Sequence, residues 1–364
     1  MTQKLGIIAL ESAESIGAKV NDTLKKWRGD DFLIGCECPR FNSGEAKGII
    51  RESVRDKDIY IIVDVCNNSL TYNMDGEPNR MSPDDHYQDL KRIIAACNGK
   101  AYRITVIMPF LYESRQHRKT MRESLDCAVM LKELEAMGVH DVVTFDAHDP
   151  RMQNVVPLKG IENISPALQF SQALLTEYDD ITIDKEHLMF VAPDEGATER
   201  VVFLASIFGV NIGMFYKRRD YSIIVNGTNP IIAHDFCGGD VSGMDVVIVD
   251  DMIDSGGSMM DVSKQLKDKG ANRVFIFSTF GLFSRGFDKF DKAYEEGVFD
   301  RMFTTDLIHQ KPELLQKPYY CSVKMGRYIA AIIDTMNKGD SLRAIVKPAD
   351  RIKETIENYK KNKA

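Results

Sequence analysis

The feature that most constrains this chain is a pattern written twice: strand, polar loop, helix, glycine, strand. In the first copy Ile104-Thr105-Val106-Ile107-Met108 is a strand and a polar loop runs to Thr120. A helix over 121–137 follows, Gly138 ends it, and Asp141-Val142-Val143-Thr144-Phe145 is the next strand. In the second copy Val246-Val247-Ile248-Val249 passes through an acidic, glycine-rich turn into a helix over 259–269. Gly270 ends that helix and Arg273-Val274-Phe275-Ile276-Phe277 is the strand after it. Short apolar runs of this kind suit buried parallel strands. Glycine suits the left-handed position that closes a helix. Each β-α-β unit requires a right-handed crossover within a mainly parallel sheet. The predicted fold is therefore α/β, with two similar domains, each a mainly parallel sheet flanked by helices.

A length of 364 residues accommodates two such domains. The expected division is 1–160, 161–346 and a charged tail over 347–364, which reads at best as an amphipathic helix. Residues 74–83 are rich in turn formers and read as a surface insertion. A net charge of −7 argues against nucleic acid as the main partner. The seven cysteines are scattered, and only Cys36 and Cys38 are close, so no zinc site is completed. Reduced thiols are expected. No stretch approaches the roughly 20 apolar residues of a membrane span. The start lacks a signal-peptide pattern, with Glu11 and Glu14 following a short apolar run. The expectation is a cytoplasmic protein with no membrane partner.

The turn of the second copy carries the clearest chemistry. Asp250 and Asp251 sit where the strand ends, and Asp254-Ser255-Gly256-Gly257-Ser258 leads into the helix. Ligands of open α/β sheets bind at the carboxyl ends of strands. Glycines let backbone N–H groups approach an anion, and a helix N-terminus favours negative charge. Ser255 and Ser258 add hydroxyl donors, while Asp250 and Asp251 supply acceptors. Acceptors for sugar hydroxyls beside donors for a phosphate describe a site for a phosphorylated sugar.

This segment resembles the phosphoribosyl-pyrophosphate (PRPP) motif, shared by type I phosphoribosyltransferases and ribose-phosphate pyrophosphokinases (PRPP synthetases). The resemblance to the synthetases extends over about 37–342 and implies two phosphoribosyltransferase-like domains. Arg40-Phe41-Asn42-Ser43-Gly44-Glu45 resembles an amino-terminal block of that family. There the loop corresponding to Phe41, Ser43 and Glu45 reaches the adenine of ATP in a neighbouring subunit, with Asp or Asn usual at the position of Ser43. Arg115-Gln116-His117-Arg118-Lys119 resembles the ATP-contacting Arg-Gln-Asp-Arg/Lys-Lys block, with His117 and Thr120 replacing acids. The resemblance makes Arg115 and Gln116 nucleotide contacts. Phe145-Asp146-Ala147-His148 resembles a block whose imidazole lies near magnesium and the triphosphate. Val191-Ala192-Pro193-Asp194-Glu195-Gly196 resembles one that offers a magnesium partner, here Asp194; Arg200, further on, is either part of that block's chemistry or a structural ion-pair partner.

Lys217-Arg218-Arg219-Asp220 resembles the base of the synthetase catalytic loop, followed by a polar loop over 220–237 of the sort that closes over substrate. Lys217 and Arg219 match the positions assigned to transition-state stabilisation. At the other end, Cys321-Ser322-Val323 precedes a helix through Met336; of two roles open to Ser322, assisting a phosphate site or capping that helix, the cap is expected.

The resemblance implies transfer of a pyrophosphoryl group from ATP to the anomeric hydroxyl of ribose 5-phosphate, giving PRPP and AMP. Asp250, Asp251, Asp254, Ser255, Gly256, Gly257 and Ser258 would hold the sugar phosphate, and His148 and Asp194 would assist Mg2+. It also implies a homo-oligomer built from dimers, with a hexamer as one such assembly. Two alternatives stay open. A type I phosphoribosyltransferase explains 250–258 but not the first domain. A non-catalytic PRPP-synthetase-associated regulatory subunit fits the departures at Ser43, His117 and Thr120, whereas retention of the cationic triplet favours an enzyme.

Overall fold

The computed structural model describes residues 3–119, 121–219 and 231–363, with the backbone alone described at 217–219 and 231–234. The chain divides into two compact units. The first takes Met1–Pro166, Asp306–His309 and Lys324–Lys347, and the second takes Ala167–Thr305, Gln310–Val323 and Pro348–Ala364.

The first unit contains β1 (Lys4–Ala9), β2 (Cys36–Glu37), β3 (Ile49–Ile50), β4 (Lys57–Ile62), β5 (Thr71–Met74), β6 (Glu77–Arg80), β7 (Arg103–Ile107), β8 (Asp141–Phe145) and β9 (Gly160–Ile164). Its main sheet has the order β1-β4-β7-β8-β9, parallel throughout. Ile59, Ile61, Val63 and Val106 pack with Leu90, Ile93, Met130 and Leu134 from helices Pro83–Ala96 and Asp126–Ala136. Burying an aliphatic side chain of this size stabilises by roughly 1.5–3 kcal/mol, so the sheet–helix interface dominates this unit's stability.

One local expectation changes and another gains detail. The helix expected from 121 begins at Asp126, because Leu125 has non-helical φ −119° and ψ 67°. Loop hydrogen bonds replace its first turns: Gln116 Nε2 donates to the Ser124 carbonyl (2.8 Å) and Ser124 Oγ to Asp126 (2.6 Å). The turn-rich insertion is an ordered antiparallel hairpin, β5–β6. Asp75 and Gly76 at its tip have φ of 52° and 87°, the positive values that two-residue hairpin turns demand.

The second unit contains β10 (Leu188–Ala192), β11 (Asn211–Arg219), β12 (Ile231–Cys237), β13 (Asp245–Ile253), β14 (Arg273–Gly281), β15 (Arg301–Thr305) and β16 (Tyr320–Val323). The order is β12-β11-β10-β13-β14-β15-β16, with β11–β12 antiparallel and the other pairs parallel. Val246, Ile248, Val274, Ile276 and Met302 form its core with Val262 and Leu266 of the helix Gly257–Asp268. The strand expected to end at Val249 continues to Ile253. Asp250 pairs with Ser278 and Met252 with Phe280, so β14 extends the ladder past the carboxylates. The polar loop expected over 220–237 is likewise shortened, because 231–237 pair back onto β11.

Near the end, the helix Gly326–Lys338 belongs to the first unit and Ala349–Lys363 to the second. Ser322 does not cap the former. It lies within β16, where its hydroxyl donates to Gln310 Oε1 (2.7 Å), and Asp306 accepts from the Met325 N–H at the helix start (2.7 Å). The terminal helix buries Ile352 and Ile356, and its Tyr359 hydroxyl donates to the Ile181 carbonyl (3.1 Å).

Candidate functional site

In the second unit, the parallel pairing of β10 with β13 sets their carboxyl ends side by side. Asp194 follows β10, with an extended backbone, and its side chain accepts from the Ala197 N–H (3.3 Å). Asp250 and Asp251 ride the last part of β13. Burial lifts the Asp250 carboxyl well above the usual carboxylate range, and the negative charges of Asp251 and Asp194 push it further in the same direction. The Asp251 N–H donates to Asp250 Oδ1 (2.9 Å) and partly offsets this. Asp251 is buried, and the Arg200 guanidinium stands 3.9 Å from it while donating to the Gly196 carbonyl (3.1 Å). Arg200 thus faces a site carboxylate and also holds its own turn. Crowded carboxylates of this kind stand ready to accept hydroxyl hydrogens or to meet a cation.

The following turn brings Asp254, Ser255, Gly256, Gly257 and Ser258 to the amino end of the helix Gly257–Asp268. Gly256 is required twice over. Its φ is +72°, and a Cβ there would stand 2.2 Å from Phe290 Cζ. The backbone can therefore lie close against Phe290 at the start of the helix Gly257–Asp268, a position whose N–H groups suit an anion. One neighbour was not singled out in the sequence. Lys289 Nζ lies 3.6 Å from the position a Cβ would take on Gly257. A lysine on a charged helix more than thirty residues away carries no local signal; only the packing of Asp288–Glu295 beside the turn reveals it.

The first unit holds the other candidates on three separate loops. Phe41, Ser43 and Glu45 form the tip of the β2–β3 hairpin. The Phe41 N–H donates to the Glu45 carbonyl (2.7 Å), the Gly44 N–H to the Phe41 carbonyl (2.9 Å), and Ser43 Oγ to Glu45 Oε2 (2.9 Å). Arg115 and Gln116 lie in the loop after β7, with Arg115 exposed and the Gln116 amide engaged by loop carbonyls. His148 follows β8 after Asp146, a non-glycine residue at φ +42°, the kind of backbone strain that gathers at functional sites. The His148 and His117 rings approach to 5.4 Å between centroids, and His117 Nε2 is 3.5 Å from Asp149. The Arg151 guanidinium bonded to Asp149 lowers that carboxyl to about 2. His117, which replaces an expected acid, therefore sits beside a retained negative charge.

His148 and Asp194 belong to different units. Among the described residues no group of three or more His, Cys, Asp or Glu side chains is placed to hold a metal. Lys217 and Arg219 end β11, opposite His234 and Ile231 in the backbone ladder; their side chains, Thr120 and the loop 220–230 lie outside the described residues. No helix among the described residues is long and apolar enough to cross a membrane.

Comparison with known proteins bears on the fold and the family. Residues 5–138 match the N-terminal domain of ribose phosphate pyrophosphokinase, and residues 159–317 match the phosphoribosyl transferase domain. The ribose-phosphate pyrophosphokinase of Shewanella oneidensis is 27% identical over 343 residues, covering 93% of this chain and 98% of that protein. That of Mycoplasma pneumoniae is 30% identical over 276 residues, 74% of this chain and 75% of the relative. The crystal structure of phosphoribosylpyrophosphate synthetase from Mycobacterium smegmatis superposes with a TM-score of 0.76 at 21% identity, over 92% of this chain and 99% of that one. The fold is thus that of two phosphoribosyltransferase-like domains, and the chain belongs to the ribose-phosphate pyrophosphokinase family of PRPP-forming enzymes.

Proposed function

We propose that this chain catalyses transfer of the β,γ-pyrophosphoryl group of ATP to the anomeric hydroxyl of ribose 5-phosphate, releasing AMP and PRPP. The observation that carries the reading is the β13 turn. Buried carboxylates lead directly into a glycine-built helix start, the donor–acceptor pattern a sugar phosphate requires. In this reading Ser255, Gly256, Gly257 and Ser258 hold the 5-phosphate, Asp250 and Asp251 accept from ribose hydroxyls, and Asp254 shapes the turn. Phe41, Ser43, Glu45, Arg115 and Gln116 contact the nucleotide. The anomeric oxygen attacks the β-phosphorus in line as the bond to AMP breaks, a step governed by positioning and charge stabilisation. Lys217 and Arg219 meet the charge that develops on the transferred group.

His148 and Asp194 would hold Mg2+, with the Asp250 carboxyl near enough to Asp194 to feel its charge. Sparse protein donors fit this ion, which keeps waters and shares the oxygens of substrate phosphates. When bound, it neutralises triphosphate charge. The family likeness also supports a cytoplasmic, dimer-based homo-oligomer with nucleotide sites that cross subunit boundaries, and a division of labour between an ATP-contacting domain over 1–160 and a sugar-phosphate domain over 161–346.

Incubation of purified protein with ATP, Mg2+ and ribose 5-phosphate tests the reading. Equimolar AMP and PRPP are expected. Consumption of PRPP only when a nucleobase is supplied would replace the reading with a phosphoribosyltransferase. Neither activity, together with binding to an active synthetase, would replace it with a regulatory subunit.

A further inference from the structure

The β5–β6 hairpin contributes no residue to the buried core of its unit. Tyr72, Met74 and Asn79 are half-buried, and the rest of 71–80 is exposed. Two of these side chains, Tyr72 and Met74, nevertheless lie against the 41–45 loop or its root, while the Tyr72 hydroxyl donates to Asp85 (3.5 Å) and Asn79 donates to the Glu77 carbonyl (3.1 Å). The Asp75 N–H donates to the Asn42 carbonyl (3.0 Å). A Cβ built on Gly44, which has φ +86°, would stand 2.9 Å from Met74 Sδ and 3.7 Å from Tyr72 Cε2. The Arg40 guanidinium, at the root of the loop, lies 4.8 Å from the centre of the Tyr72 ring. Arg40 also donates to Asp89 (2.8 Å), which accepts from Arg92 as well (2.7 Å). The loop is therefore held at its root by Asp89 of the helix Pro83–Ala96 and on the other side by the hairpin, while Phe41 remains 55% exposed at the tip. An exposed aromatic ring on a braced loop is a prepared stacking surface; bracing removes ordering entropy that binding would otherwise have to overcome.

We propose that the 71–80 hairpin is the positioning element of the nucleotide loop, with Tyr72 and Met74 setting the affinity for ATP by holding 41–45 in its binding conformation. This rests on the reading of 41–45 as the loop that contacts the base. Tyr72 and Met74 act through the loop and touch no reacting atom, so their removal weakens ground-state and transition-state binding alike and leaves the chemical step intact.

Steady-state kinetics of full-length Tyr72→Ala and Met74→Ala, with Phe41→Ala and Tyr72→Phe beside them, test the proposal. Each alanine variant at 72 or 74 is expected to raise the KM for ATP roughly three- to tenfold. The KM for ribose 5-phosphate and kcat should stay within about twofold, with an unchanged melting temperature. Tyr72→Phe keeps the ring over Arg40 and should restore the wild-type KM. If Phe41→Ala raises the KM for ATP while neither hairpin variant does, the hairpin's role is overturned and the reading of the loop survives. If Phe41→Ala leaves that KM unchanged, the reading of the loop falls and the hairpin's role with it. A fall in kcat joined to a lowered melting temperature in both hairpin variants would make the hairpin part of the fold and overturn the proposal.

Discussion

At the scale of single residues, charge placement separates binding from catalysis. Lys217 lies at the end of β11, where the family resemblance puts a group that meets the charge of the transferred pyrophosphoryl. Lys217→Ala should lower kcat by about 10²–10³-fold, the usual cost of one preorganised donor. The melting temperature should hold. Equal turnover of variant and wild type would remove Lys217 from that role. Lys289 offers the contrasting case. Its ammonium stands beside the glycine turn, but the side chain is exposed, and an exposed charge contributes modestly and is screened by salt. Lys289→Ala is expected to raise the KM for ribose 5-phosphate by roughly two- to fivefold with kcat preserved. The difference should shrink as salt is added. A KM independent of the substitution at low ionic strength would assign the phosphate to the turn alone. The two lysines also differ in legibility. Lys217 sits in a cationic triplet in family order, whereas Lys289 is one of two lysines on a charged helix and only its approach to Gly257 distinguishes it.

At the scale of elements, the segment Asp306–His309 shows how short pieces of chain are fastened into the first unit. Asp64, just past β4, accepts from the N–H groups of His309 (2.6 Å) and Cys66 (2.8 Å). Burial pushes the Asp64 carboxyl up to about 7, against the pull of those two amides. Its folded value lies above its unfolded value of about 4, so the folded chain keeps a proton the unfolded chain has lost. The contribution of Asp64 to stability therefore falls as pH climbs from about 4 to about 7 and is level above that. Asp64→Asn removes this dependence. Relative to wild type, the variant should gain on the order of 2–3 kcal/mol between pH 5 and pH 8, read from denaturant midpoints. An offset that does not change with pH would show that Asp64 titrates near its ordinary value. Elements also show where sequence patterns stop being informative. The β8 strand was legible from 141 to 145 because β-branched and aromatic residues fill it. The extension of β13 through Asp250 and Asp251 was not, because aspartate is poorly suited to strands in general and only the ladder to Ser278 and Phe280 keeps the backbone extended. Pro78 and Asn79 are likewise turn formers, yet they pair with Asn73 and Tyr72 and give the surface insertion a hairpin ladder.

At the scale of the whole molecule, the proposed crossing of nucleotide sites between subunits can be tested without a structure of the assembly. Phe41→Ala and Lys217→Ala, each impaired alone, would be unfolded together, refolded as a mixture and assayed. If one subunit lends its 41–45 loop to a neighbour's Lys217, random pairing restores roughly a quarter of the sites to wild type. Activity no greater than the sum of the two variants would place both residues in one chain's site. The local order of the chain was determined by sequence alone: two strand–loop–helix–glycine–strand units, a carboxylate-and-glycine turn between the first strand and the helix of the second, and a turn-rich insertion over 74–83. Those features depend on neighbours within a few residues, whose apolar period, turn chemistry and charge act at short range. Tertiary structure decided what comes from distant segments. It continued β13 through the carboxylates, set Lys289 beside Gly257, pressed Phe290 against Gly256, and laid the 71–80 hairpin on the 41–45 loop. Each of these depends on which surfaces pack together, and packing is a property of the folded chain that no local window of residues contains.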